Sequence, residues 1–283
     1  MNIIDAFESM ATLGENLDTV DSMLSGWRNH MQVYPEVFTA CTMDYTENGY
    51  DWETIARERV FPYSLKHWSC LKETYARLKP LCHGDTLRGG GFSDDDLPQG
   101  LFVLYHGLGN GAGWAHEYAQ TPAIWLGIEK ICELGWTSEA ALRALIVHEG
   151  THLWHAQKRG ITLPMFAKLC EHPVFRLVAE GLAMVHERRV VKAGTRSADW
   201  YKECARHFDA LKHRFALALS HDKEACAMFF GDWHSVEGLP DTGYYLGEKL
   251  VDSLTTRISL EEIATMSLPT LIGHSEIFMR STH

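Results

Sequence analysis

Apolar residues recur at helical spacing early in the chain. Val20, Met23, Leu24 and Trp27 form one stripe, and Tyr63, Leu65, Trp68 and Leu71 form a looser one. Residues 1 to 80 therefore read mainly as helix. The pattern breaks at "LRGGGFSDDDLPQG", where glycines, Pro98 and an acidic triplet mark a solvated loop. "LFVLYH" (101–106) and "PAIWLGIE" (122–129) are short, branched and aromatic, and read as strands. The glycine-rich stretch between them reads as a flexible hairpin connection or lid. From Thr137-Ser138-Glu139, a capping signal, helix dominates again, with Leu142, Leu145, Ile146 and Leu153 as its buried stripe. "HPVFRLVAEGLAMVHERRVV" predicts a second helix, with Pro173 near its start and Gly194 after its end. "WYKECARHFDALKHRFALALS" predicts a third, "TGYYLGEKLVDSLTT" a fourth, and "SLEEIATM" opens a fifth at a serine cap. The expected class is α+β, mainly helical, with a small mixed or antiparallel sheet. Three stretches form one unit: a helical region 1–82, a sheet plus helix 83–160, and a helical lobe 161–283.

Charge and cysteine usage narrow the function. Lys and Arg total 26 against 37 Asp and Glu, a net charge of −11. That balance disfavours binding to a phosphate backbone, which needs a basic stripe. No window of 18 apolar residues occurs, and the N-terminus lacks the basic and apolar segments of a signal peptide. The seven cysteines are scattered, odd in number and never spaced C-x-x-C. A disulfide framework and a cysteine zinc knot are both poor readings, and a cytoplasmic protein is expected. "GLGNGAGWAHEYAQT" follows a strand but lacks G-K-[ST], and the next segment returns to strand at Pro122. A nucleotide loop needs a helix N-terminus there, so that reading is rejected.

"LIVHEGTHLWHAQ" (145–157) carries the chemistry. On a helix His148 and His152 project from nearly one face, one turn apart, so two imidazoles can share a cation. Glu149 sits about 100° round, where a general base for metal-activated water belongs. Two histidines and a glutamate in so apolar a helix are costly without a shared partner. A catalytic zinc keeps three protein ligands and an open position, so a third ligand must come from elsewhere. His155 points away from the stripe and reads either as a residue supporting a ligand from behind or as a packing residue. Glu180 in "LVAEGLAMV" is a lone acid among apolar residues, expensive unless it meets a cation. Gly181 and Ala183 would let its helix approach the metal helix. His172 and His186 compete for the role, but each reads as a solvated histidine at a helix end.

"HEGTH" with "AEGLA" resembles the gluzincin metallopeptidases, in which two histidines and a downstream glutamate hold zinc. More closely, "AIWLGIEKI", "LRALIVHEGTHLWH", "VAEGLA", "GYYLGEKLV" and "LIGHSEIF", in this order, resemble the predicted zinc-dependent protease family catalogued as a domain of unknown function. The likeness spans about residues 100 to 278. It implies a zincin-like active-site helix beside the sheet and one Zn2+ per chain. The departures are a longer gap from His152 to Glu180 than in thermolysin-like enzymes, and Met184 where an aspartate would stand four residues after Glu180. The carboxylate partner of a zinc histidine is therefore unidentified in the sequence.

An oxyanion needs a donor besides the metal. Tyr244 shares a helix face with Gly247 and Val251 and reads as inward, whereas Tyr245, with Lys249 and Asp252, reads as outward. Tyr244 is the expected donor, with His234 behind it. The strand 122–129 could offer a free edge to an extended substrate. The expected activity is hydrolysis of a peptide or other amide bond, with Glu149 as general base. A closed pocket acting on a small metabolite, and a non-catalytic module with a structural metal of four protein ligands, are the alternatives. Nickel, cobalt and iron are admissible in place of zinc.

Overall fold

The computed structural model describes residues 1–190, 195–219, 222–231 and 234–281. The fold is α+β and mainly helical, with one small mixed sheet. The chain divides into two compact units, one of residues 1–86 and 99–146, the other of residues 87–98 and 147–283. No helix among the described residues is long and apolar enough to cross a membrane.

The first unit holds the sheet, in the order β1-β2-β4-β3. Its strands are β1 (Asn2–Asp5), β2 (Leu101–Tyr105), β3 (Gly113–Tyr118) and β4 (Thr121–Gly127). β2 runs parallel to both β1 and β4, with Ile3 opposite Phe102 and Phe102 opposite Ile124. The central strands β2 and β4 are almost continuously buried, which is why they read as unbroken apolar runs. Three expectations change here. Residues 2–5 are strand rather than helix, because β1 draws its hydrogen bonds from β2 and a four-residue segment has no period of its own. The glycine-rich stretch contains β3, which turns into β4 through Ala119 and Gln120, both at positive φ (46° and 63°). That is a two-residue hairpin turn of the mirror-image kind, made without the usual Asn-Gly signal. Finally, β4 is paired on both sides and is no free edge; Ile128 and Glu129 already belong to the next helix.

The helix α1 (Val20–Met31) is capped by a reciprocal Thr19–Ser22 box and buries Met23, Leu24, Trp27 and Met31. Trp27 Nε1 donates to His106 O at 2.8 Å, anchoring the chain just after β2. The looser stripe belongs to two helices broken at His67; the second is α2 (Trp68–Leu78). β4 leads into α3 (Ile128–Glu133). From it the buried Glu129 carboxylate accepts the Gly107 N–H at 2.8 Å and the Gly109 N–H at 3.0 Å. A Cβ on Gly107 would lie 2.8 Å from Glu129 Oε1, and Gly109 has φ +79°. The glycines thus wrap a carboxylate of the protein itself.

The boundary between the units falls within α4 (Glu139–Lys158), whose N-terminus is capped by Ser138 Oγ accepting the Ala141 N–H. Residues 144–156 of α4 are buried all round. In the second unit α5 (Pro173–Val190) crosses α6 (Thr242–Thr255) at two glycines. A Cβ on Gly181 would stand 2.2 Å from Gly247 O, and one on Gly247 2.2 Å from Leu177 O. Gly181 therefore serves the approach to α6 rather than to α4. The predicted third helix is two, Ala198–Arg206 and Phe208–Ala218, separated at His207. The segment opened by Ser259 stops at Thr265, and Ser267 caps a further helix, Leu268–Arg280. Gly194 lies outside the described residues.

Candidate metal centre

A helix buried on every side has no solvent face for its polar residues, so His148, Glu149, His152 and His155 of α4 must each find partners inside the protein. The 3.6-residue period turns His148 and His152 to one side, with ring centroids 5.1 Å apart and planes at 80°. The buried Glu180 of α5 meets them. Its Oε2 lies 3.2 Å from His148 Nε2 and 3.4 Å from His152 Nε2. One donor atom from each of these residues lies within 4.8 Å of the other two, and the group has three members among the described residues. Ligand bonds of about 2.0–2.1 Å in a tetrahedron give edges of about 3.3 Å. The two nitrogen-to-oxygen separations match that edge, and the group could hold a metal ion.

The carboxylate missing from the sequence pattern is Glu187. It stands two helical turns beyond Glu180 on α5, fully buried, with Oε2 3.0 Å from His148 Nδ1. Its other oxygen accepts the Thr195 N–H. A carboxylate on the far nitrogen of a ligating histidine fixes its tautomer and ring direction and raises its basicity. His152 Nδ1, by contrast, is buried without a hydrogen-bond partner among the described residues. Glu187 had a signal in the sequence: seven residues from Glu180 brings it back to the same helix face. Its neighbours Arg188 and Arg189 disguised it as part of a solvated helix end.

Among the described residues three buried carboxylates (Glu149, Glu180, Glu187) face two imidazoles, with Arg176 beside Glu180 as a further cation. Burial would lower the His148 pKa, but its bonds to Glu180 and Glu187, with Glu149 nearby, outweigh this and raise it to about 10. Burial would raise Glu180, yet the charges and hydrogen bonds of His152 and His148 hold it well below the usual carboxylate range. Glu187 is lowered too, the His148 bond prevailing over burial. Glu149 goes the other way: burial raises it, against the pull of both imidazoles. It is the one carboxylate of the three whose proton affinity is increased.

Tyr244 comes to the same place. Its ring centroid is 6.0 Å from His148 and 5.9 Å from Phe230. The crossing at Gly181 and Gly247 sets α6 close enough for this. Arg196 covers the Tyr244 ring at 4.7 Å and reaches Asp241 Oδ2 at 2.5 Å. Asp241, just before α6, is held in the left-handed region at φ +57°, which an aspartate tolerates. No hydrogen bond engages the Tyr244 hydroxyl among the described residues. Burial and the Glu180 charge raise its pKa, so it stays a protonated donor. Arg176, one turn before Glu180, places Nε 4.0 Å from Glu180 Oε1.

The other candidates sit elsewhere. His234 is exposed, and among the described residues its side chain makes no hydrogen bond or ring contact with the cluster. Tyr245 is buried against Trp200, Tyr201 and Phe208 rather than outward, because helices of the same unit cover that face of α6 as well. His155 bonds Ala264 O at 2.9 Å and stacks on Phe175, a packing histidine. His172 Nδ1 accepts the Val174 N–H and caps α5. His186 is not solvated: it is buried, bonded through Nδ1 to Gly90 O and stacked on Phe92.

No protein-family model, curated protein or solved structure matches the chain. The likeness to gluzincins therefore rests on these residues.

Proposed function

We propose that the protein is a zinc-dependent hydrolase of a peptide or other amide bond. The observation that carries this reading is the convergence of His148, His152 and Glu180 on one point, with three donors among the described residues rather than the four of a structural site. Mixed nitrogen and oxygen donors suit zinc. A bound divalent ion would supply Lewis acidity, bringing the pKa of a water towards neutrality and polarising the scissile carbonyl. Glu149 takes the proton from the attacking water and delivers it to the leaving amine. Its burial favours the protonated form, which supports its taking up the water's proton. The unengaged Tyr244 hydroxyl donates to the oxyanion that forms as the carbonyl carbon becomes tetrahedral. Glu187 holds the His148 ring in the orientation that turns Nε2 towards the shared point.

The test is metal content by elemental analysis together with turnover of a peptide library and of small amides and esters, for wild type and Glu149→Gln. Stoichiometric zinc in both proteins, with turnover lost by about 10²–10⁴ only in the variant, is the expected result. Equal turnover in both removes Glu149 from the mechanism. Turnover of small amides or esters without peptide cleavage transfers the reading to a metabolite enzyme.

A further inference from the structure

Cys70 on α2 and Cys132 on α3 are 62 residues apart in sequence, yet their sulfurs stand 3.1 Å apart in the first unit. Both are free thiols. A disulfide bond is about 2.05 Å long, so about 1 Å of side-chain movement separates this contact from a covalent link. Thr74, one turn beyond Cys70, places Oγ1 3.1 Å from Cys132 Sγ and steadies the buried partner. Cys132 is buried and Cys70 half-buried, so a reagent from solvent meets Cys70 first.

We propose that Cys70 and Cys132 are a reversible thiol–disulfide pair, oxidised by exchange with a small disulfide of the glutathione type. The Cys70 thiolate attacks one sulfur of the oxidant, forming a mixed disulfide and releasing one small thiol. The Cys132 sulfur, losing its proton, then attacks Cys70 Sγ and expels the second small thiol. Two protein thiols lose two protons and two electrons, and the oxidant becomes two thiols. Burial pushes the Cys132 thiol up to about 12, against the Thr74 bond, so the second step is slow at neutral pH and faster in alkali. The link would staple α2 to α3 and close the 62-residue separation into a loop, so the oxidised protein should unfold at a higher temperature.

The test is incubation of the full chain with oxidised glutathione, followed by intact mass, non-reducing peptide mapping and thermal unfolding. Wild type should lose two hydrogens, give a Cys70–Cys132 cross-linked peptide with no glutathione retained at Cys70, and revert with dithiothreitol. Cys132→Ser should trap glutathione on Cys70; Cys132→Ala serves equally if the serine disturbs the buried position. Cys70→Ser should give no cross-link. Glutathione retained on Cys70 of the wild type without a cross-link overturns the proposal, and so does a wild type in which neither thiol reacts.

Discussion

Glu187 Oε2 lies 3.0 Å from His148 Nδ1, while His148 Nε2 faces Glu180 on the opposite edge of the same ring. One imidazole is thus gripped between two carboxylates of a single helix, and its free rotation is removed. Loss of the Glu187 grip should loosen the metal without deleting a ligand. Glu187→Ala is expected to weaken zinc affinity by about 10–100-fold, measured by competition with a chromophoric chelator. Unchanged affinity would reduce Glu187 to a packing residue.

Tyr244→Phe removes a hydroxyl but no bulk. Under the proposed mechanism kcat should fall by about 10²–10³ while zinc content and KM change little. If KM rises and kcat holds, Tyr244 binds substrate rather than the oxyanion.

The crossing of α5 and α6 tolerates no side chain. Gly247→Ala would drive a Cβ to 2.2 Å from Leu177 O, a backbone atom that cannot step aside. It should destabilise the protein by about 1–3 kcal/mol or more. Gly273, in the helix Leu268–Arg280, has open space at its Cβ position, and Gly273→Ala should stabilise by about 0.4–1 kcal/mol. Denaturant midpoints of the two variants should therefore move in opposite directions from wild type.

Two buried histidines should cost stability on mild acidification. Burial lowers the His186 pKa from 6.5 to about 4 and that of His155 to about 3. Below pH 6.5 the unfolded chain takes up protons at these sites while the folded chain does not. Their contribution is therefore whole above 6.5 and lost progressively down to the folded values, at most of order 3 kcal/mol for His186 and of order 5 kcal/mol for His155. With chelator present, so that metal release plays no part, His148 and Glu149, both raised, work the other way. The test therefore compares urea midpoints at pH 5 and pH 7.5 in wild type and His186→Gln: the variant should lose less, or gain more, on acidification than wild type does. The same change in both proteins would mean that His186 is not held neutral in the fold.

The sequence by itself specified what local periodicity can encode. The spacing within "HEGTH" put two imidazoles on one face of a helix. The lone acid Glu180 among apolar neighbours was marked by its cost, and the face Tyr244 shares with Gly247 and Val251 marked an inward side. Each is a statement about a single helix and what its burial demands. Tertiary structure alone decided matters that depend on pairing between distant segments. β1 exists because β2 offers it hydrogen bonds, and Tyr245 is inside because several helices cover α6. Cys70 meets Cys132 because α2 rests on α3. Glu187 and His186 look solvated beside Arg188 and Arg189, and only the packing around α5 makes one a partner of His148 and the other a buried stack on Phe92. A period fixes which residues share a face; what that face meets is set by contacts between parts of the chain that no local pattern links.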